Sequence, residues 1–71
     1  MEKETFLKSL GKHIVSIRES KGMTQSDLAH LCFKERQSIE RVENAKTNPT
    51  AFYLYEIAQA LEISVSELLD F

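Results

Sequence analysis

Arg36, Gln37 and Arg41 fall within six positions of one another, on a stretch whose apolar members are Ile39 and Val42. A guanidinium can fork onto O6 and N7 of guanine, and a glutamine amide can pair with N6 and N7 of adenine. These three side chains could therefore read base edges in a major groove. The competing reading is a solvated helix face, with Arg41 paired to neighbouring acids or to phosphates instead. Ser38 is small and polar; it could touch a phosphate or a thymine methyl, or simply pack. Asn44, Lys46 and Thr47 follow closely, and their donors suit a phosphate, against a capping Asn and two solvated loop residues. Thr24 and Gln25 open an earlier segment, where a side-chain amide and the N–H groups of a helix start can hold a phosphate with help from the helix dipole. The plain alternative for Gln25 is ordinary polarity at a helix start. Glu35 and Glu40 are unfavourable beside phosphates, so they either point away or accept from cytosine N4.

Other chemistries find no residues to carry them. His30 and Cys32 are separated by one position, which on a helix directs them about 200° apart, so they do not share a metal. Cys32 reads as a small core residue and His13 as a surface residue of the first helix. No Ser, His and acid set, glycine-rich phosphate loop or paired-carboxylate motif is present. The reading is of a protein that is not an enzyme, with no cofactor, no metal and no small-molecule ligand.

Helices must position these groups. Phe6, Leu7, Leu10, Ile14 and Ile17 recur at three- and four-residue steps among lysines and glutamates, the pattern of an amphipathic helix that should close near Lys21-Gly22. Thr24 can cap a second helix, from about Gln25 to Cys32, in a shortened capping box with Asp27. A third, short and mostly polar, is anchored by Ile39 and Val42. Pro49 breaks the chain after it. Leu54, Ile57, Ala58 and Leu61 form a complete stripe for a fourth helix from about Ala51 to Leu61, with Thr50 as its cap. Ser64 to Glu67 spells a capping box for a fifth; the brief alternation at Ile63 and Val65 is too short to outweigh it. The second and third helices, joined by a short turn and crossing closely at the small Ala29, make a helix-turn-helix, with the polar faces of the third left free.

The 71 residues suffice for a single domain spanning residues 1–71, an all-α, compact five-helix bundle. The net charge of −2 divides unevenly: residues 1–22 carry five basic and three acidic groups, residues 23–50 four of each, and residues 51–71 four acids and no base. A polyanion would therefore meet a local basic face, not the molecule as a whole. With one Cys, no internal disulfide can form. No apolar run suits a membrane or a signal peptide, so the expectation is a cytoplasmic protein.

From about Leu10 to Leu69 the chain resembles the repressor and Cro family of helix-turn-helix regulators, the XRE family. The matching blocks are Ile17-Arg18-Glu19, Lys21 to Ala29, Gln37 to Asn44, Asn48-Pro49, Ile57 to Leu61 and Ser64 to Leu68. The Gln37 to Asn44 block is especially like that of lambdoid phage repressors. The resemblance implies a lambda-repressor-like fold and a sequence-specific regulator of transcription, acting as a repressor or controller. Such a regulator binds double-stranded DNA as a homodimer on a two-fold operator, and base contacts would come from Arg36, Gln37 and Arg41. Phosphate contacts would come from Thr24, Gln25, Ser38, Asn44, Lys46 and Thr47. It also matches Arg18 and Glu43, each flanked by apolar residues, to positions that form a structural ion pair. Two departures stand out. Phe33 occupies the turn position where the family usually has Gly, followed by Lys34 in place of an apolar residue, and Ala45 stands where Gly often ends the recognition helix. A left-handed Phe33 should cost about 1 kcal/mol relative to Gly.

Phe52, Tyr53, Tyr55, Leu69 and Phe71 are more aromatic and apolar surface than so small a core readily hides, which suggests the dimer interface. The alternative is that they complete the monomer core. The acidic last third, with Glu35 and Glu40, leaves one rival function: a protein-interaction module or antitoxin-like partner that keeps the fold with weak or no DNA binding.

Overall fold

The computed structural model describes residues 1–71 as five helices: α1 (Lys3–Ser20), α2 (Gln25–Leu31), α3 (Arg36–Glu43), α4 (Ala51–Ala60) and α5 (Val65–Leu68). Each begins on an extended residue, and three of those residues cap with a side chain. The Thr24 hydroxyl accepts from the Asp27 N–H while the Asp27 carboxylate accepts from the Thr24 N–H, and Ser64 with Glu67 repeats the device. Thr50 accepts from the Tyr53 N–H. These pairings satisfy N–H groups that a helix start leaves open, each worth about 1 kcal/mol.

The helix ends share a second device. Gly22 (φ 71°), Phe33 (57°), Ala45 (58°) and Glu62 (57°) all adopt the left-handed conformation. After each, the chain returns a hydrogen bond across the last turn: Met23 N–H to Arg18 O, Lys34 N–H to Ala29 O, Lys46 N–H to Arg41 O and Ile63 N–H to Ala58 O. Only the first is a glycine. The turn at Phe33 and the helix end at Ala45 therefore keep the geometry that Gly would favour, at a cost of about 1 kcal/mol each. Phe33 is left 92% exposed.

The core is built where the stripes meet. Leu10, Ile14, Leu28, Ile39, Ile57, Leu61 and Leu68 are fully buried, together with Ala29, Cys32, Val42 and Ala58. Each large member contributes about 1.5–3 kcal/mol on leaving water. Ile63 and Val65 flank the Ser64 cap without forming a strand, and both pack against this core. α2 ends one residue earlier than its pattern suggests, with Cys32 as its buried cap residue.

One close approach has no counterpart in the hydrophobic pattern. Gly11, buried in the middle of α1, lies against the end of α3, and a Cβ there would land on the Glu43 carbonyl oxygen, 2.8 Å from the carbonyl carbon. Without a side chain at this point, α1 and α3 can touch backbone to backbone. No helix is long and apolar enough to cross a membrane.

Candidate nucleic-acid interface

α3 turns Ile39, Val42 and Glu43 inward and leaves Arg36, Gln37 and Arg41 exposed. The anchor on its buried side is ionic as well as apolar. Arg18 Nε donates to Glu43 Oε2 at 2.7 Å and its Nη2 to Glu43 Oε1 at 3.1 Å, while Nη1 donates to the Met23 carbonyl at 2.8 Å. The side chains are 9% and 2% exposed. Hydrogen bonding to Glu43 holds the guanidinium protonated even more firmly than usual, against the opposing effect of burial. This pair ties α1 to α3 through a planar two-bond contact.

The network runs on to the surface. Gln25 Nε2 donates to Glu43 Oε1 at 2.9 Å, Arg36 Nη1 donates to Gln25 Oε1 at 3.1 Å, and the same nitrogen donates to Glu40 Oε2 at 3.2 Å. A chain of contacts thus links the buried pair, the first residue of α2 and the first residue of α3. Gln25 and Arg36, 11 positions apart in sequence, are brought together. Glu40 does not stand as an isolated acid on this face, because Arg36 offsets its charge.

The remaining residues divide by what already engages them. Gln37 is exposed, and no side-chain hydrogen bond holds it. Arg41 Nη2 reaches back to the Lys46 carbonyl at 3.3 Å, which steadies the loop after α3. Asn44 donates to the Glu40 carbonyl at 2.9 Å. Lys46 is exposed and Thr47 half-buried. The Thr24 hydroxyl caps α2 by accepting from the Asp27 N–H, and the Asp27 carboxylate is held below its usual range, first by the hydrogen bond from the Thr24 N–H and then by the Thr24 hydroxyl.

Ser38 is tied elsewhere: its hydroxyl and that of Tyr53 lie 2.6 Å apart. Tyr53 is half-buried, with its phenol raised above the usual range by that burial. Lys34 sits 5.1 Å from the Tyr53 ring centre and pairs with Glu56 at 3.2 Å, so a lysine serves where an apolar residue was expected. Tyr53 is thus drawn into its own chain, unlike Phe52, Tyr55, Leu69 and Phe71, which stay exposed. Phe52 stacks on Tyr55 with ring centres 5.9 Å apart, and Phe71 packs on Phe6 at 5.3 Å and on His13 at 5.6 Å. The reading of His13 as a plain surface residue is corrected. It is half-buried, and its Nε2 donates to the Glu67 carbonyl at 2.9 Å, tying α1 to α5. Gly11 was also missed as a positioning residue. Its signal was present, since a glycine mid-helix costs about 1 kcal/mol and marks a close approach.

Comparison with known proteins agrees with this geometry. The helix-turn-helix family model HTH_3 matches residues 14–68. An uncharacterized HTH-type transcriptional regulator, y4dJ of Sinorhizobium fredii, is 36% identical over 62 residues, 87% of this chain and 80% of its own. The HTH-type transcriptional regulator SinR of Bacillus subtilis is 32% identical over 62 residues, and the match spans 56% of its length. Among solved structures, the restriction-modification controller C.AhdI of Aeromonas hydrophila superposes with a TM-score of 0.86 at 31% identity, covering 87% of this chain and 94% of its own. The controller C.Esp1396I does so at 0.82 and 36%, covering 90% and 87%. The chain belongs to the HTH_3 helix-turn-helix family of XRE/Cro-like transcriptional regulators.

Proposed function

We propose that the chain is a sequence-specific regulator that binds a two-fold operator in double-stranded DNA as a homodimer, with α3 in the major groove. The observation that carries this reading is the exposed row of Arg36, Gln37 and Arg41 on a helix whose opposite side is locked by Ile39, Val42 and the Arg18–Glu43 pair. A reading helix needs donors in fixed positions, and this anchor supplies the rigidity. Arg36, Gln37 and Arg41 face base edges. Thr24, Gln25, Asn44, Lys46 and Thr47 face phosphates, and Ser38, its hydroxyl hydrogen-bonded to that of Tyr53, borders them. Phe52, Tyr55, Leu69 and Phe71 supply apolar surface for the second copy. The likeness to two restriction-modification controllers supports a repressor or controller that acts by occupying its site.

Selection from random duplexes tests this directly: a two-fold motif should emerge. Sedimentation with that duplex should show two chains bound. A monomer at high concentration with and without DNA would remove the dimer. Failure to enrich any motif would leave the interaction module as the better account.

A further inference from the structure

Two adjoining grooves run between α1 and the chain that follows α3. One, of about 360 Å³, is lined by Lys8, Lys12 and Val15 facing Glu43, Asn44 and Ala45. The other, of about 320 Å³, continues it with Lys3, Glu4 and Leu7 facing residues 45–48. They share Ala45. We propose that this continuous groove is an extension of the DNA-binding surface, in which Lys3, Lys8 and Lys12 hold backbone phosphates of the duplex flanking each half-site. The proposal rests on the DNA-binding reading above.

Charge decides the occupant. Four lysines line the groove, Lys46 among them, and its two acids are weak opposition. The Glu43 carboxylate is taken by Arg18 and Gln25. Glu4 pairs with Lys8 at 3.1 Å, but the side chains are 77% and 62% exposed, so water and salt weaken the pair and a phosphate can replace it. Lys3, Lys12 and Lys46 are exposed and carry no ion pair. Residues 51–71 carry four acids and no base, so the groove is a local positive surface on a chain whose last third repels polyanions.

Position decides the rest. One wall is built by Asn44, Lys46 and Thr47, already assigned to phosphates, so a strand held there lies at the groove's mouth. From Lys3 to Lys12, α1 climbs about 13 Å, enough to follow more than one phosphate along a strand. The contacts would add affinity without reading sequence.

The test uses the full chain with Lys8→Gln/Lys12→Gln, and with Lys8→Arg/Lys12→Arg as the charge-keeping control. Binding to the selected duplex, with and without flanking base pairs, is titrated at several salt concentrations. Each lost phosphate contact should lower the salt slope by about 0.9, so the Gln variant should lose about two units per protomer. The loss should be equal on selected and scrambled long duplexes, absent on a duplex trimmed to the half-sites, and absent in the Arg variant. Thermal unfolding should match wild type; a loss of affinity shared by the Arg variant would mark a structural effect and overturn the proposal. So would unchanged slopes in the Gln variant while wild type binds, which would leave the DNA-binding reading standing. Wild-type chain that binds no duplex would overturn both. Saturable binding of inorganic tripolyphosphate that depends on Lys8 and Lys12, with DNA slopes unchanged, would make the groove a free-phosphate site instead.

Discussion

Cutting the Arg18–Glu43 contact from one side removes more than one hydrogen bond. In Glu43→Ala the Arg18 guanidinium keeps only the Met23 carbonyl and loses both carboxylate oxygens. In Arg18→Met the carboxylate keeps only the Gln25 amide. At about 3 Å and an effective dielectric of about 20, unit charges attract by roughly 5 kcal/mol. Desolvation of the two ions cancels most of that gain, so the intact pair adds little net stability. A single substitution abandons the attraction but leaves the remaining charge buried, and the expected loss is about 3 kcal/mol. A domain of this size has on the order of 5 kcal/mol in all, and with a urea slope of about 1 kcal/mol/M the midpoint should fall by about 3 M. Arg18→Met/Glu43→Leu, which removes both charges and refills the space, should recover most of the loss. Urea unfolding followed by circular dichroism at low temperature would measure wild type, Arg18→Met, Glu43→Leu and the double variant as a double-mutant cycle, with Glu43→Ala beside them. Single losses below about 0.5 kcal/mol, or losses that simply add, would refute the argument from burial.

Glycine exchange should act in opposite directions at two helix positions. Gly11→Ala, which raises helix propensity by about 1 kcal/mol, should nevertheless destabilise by about 2 kcal/mol because its methyl meets the Glu43 backbone; Ala45→Gly should stabilise by about 1 kcal/mol by relieving φ 58°. Thermal unfolding of both variants checks the signs. In duplex titrations, Gln37→Ala should cost about 1–3 kcal/mol on the selected operator and spare scrambled DNA. Lys46→Ala should weaken both equally and lower the salt slope by about one unit per contact. The Asp27 carboxylate, held below its usual range by Thr24, contributes stability that is present above the unfolded carboxylate pKa and lost as pH falls through the folded one. The gap in unfolding midpoint between wild type and Asp27→Asn should therefore be open at neutral pH and close in acid. Burial pushes the Cys32 thiol up to about 11, so iodoacetamide at pH 8 should label the native chain far more slowly than the urea-unfolded one. Equal rates would mean the α2 end opens freely.

What the sequence by itself determined lies within one or two helical turns. The Thr24–Asp27 and Ser64–Glu67 capping boxes and the α4 stripe follow from spacings of three or four residues, since such neighbours meet in any helix whatever surrounds it, and the stop at Gly22 and the core role of Cys32 follow from the residue types alone. The Arg18–Glu43 pair was reached across 25 positions only through family resemblance. Elsewhere the partner lies too far along the chain for any local pattern to name it. Gln25 is shared between Glu43 and Arg36, Ser38 is held by Tyr53, Lys34 is placed over Tyr53 and against Glu56, and His13 is drawn to the Glu67 carbonyl 54 positions away. Local chemistry also left the backbone at Phe33 and Ala45 undecided. A penalty of about 1 kcal/mol argues against a left-handed residue at each, and only the packing of α2 and α3 against the core outweighs it. The basic groove beside Ala45 belongs to the same class, because lysines from residues 3–12 and the loop at 45–48 become neighbours only once Gly11 lets α1 settle onto the end of α3.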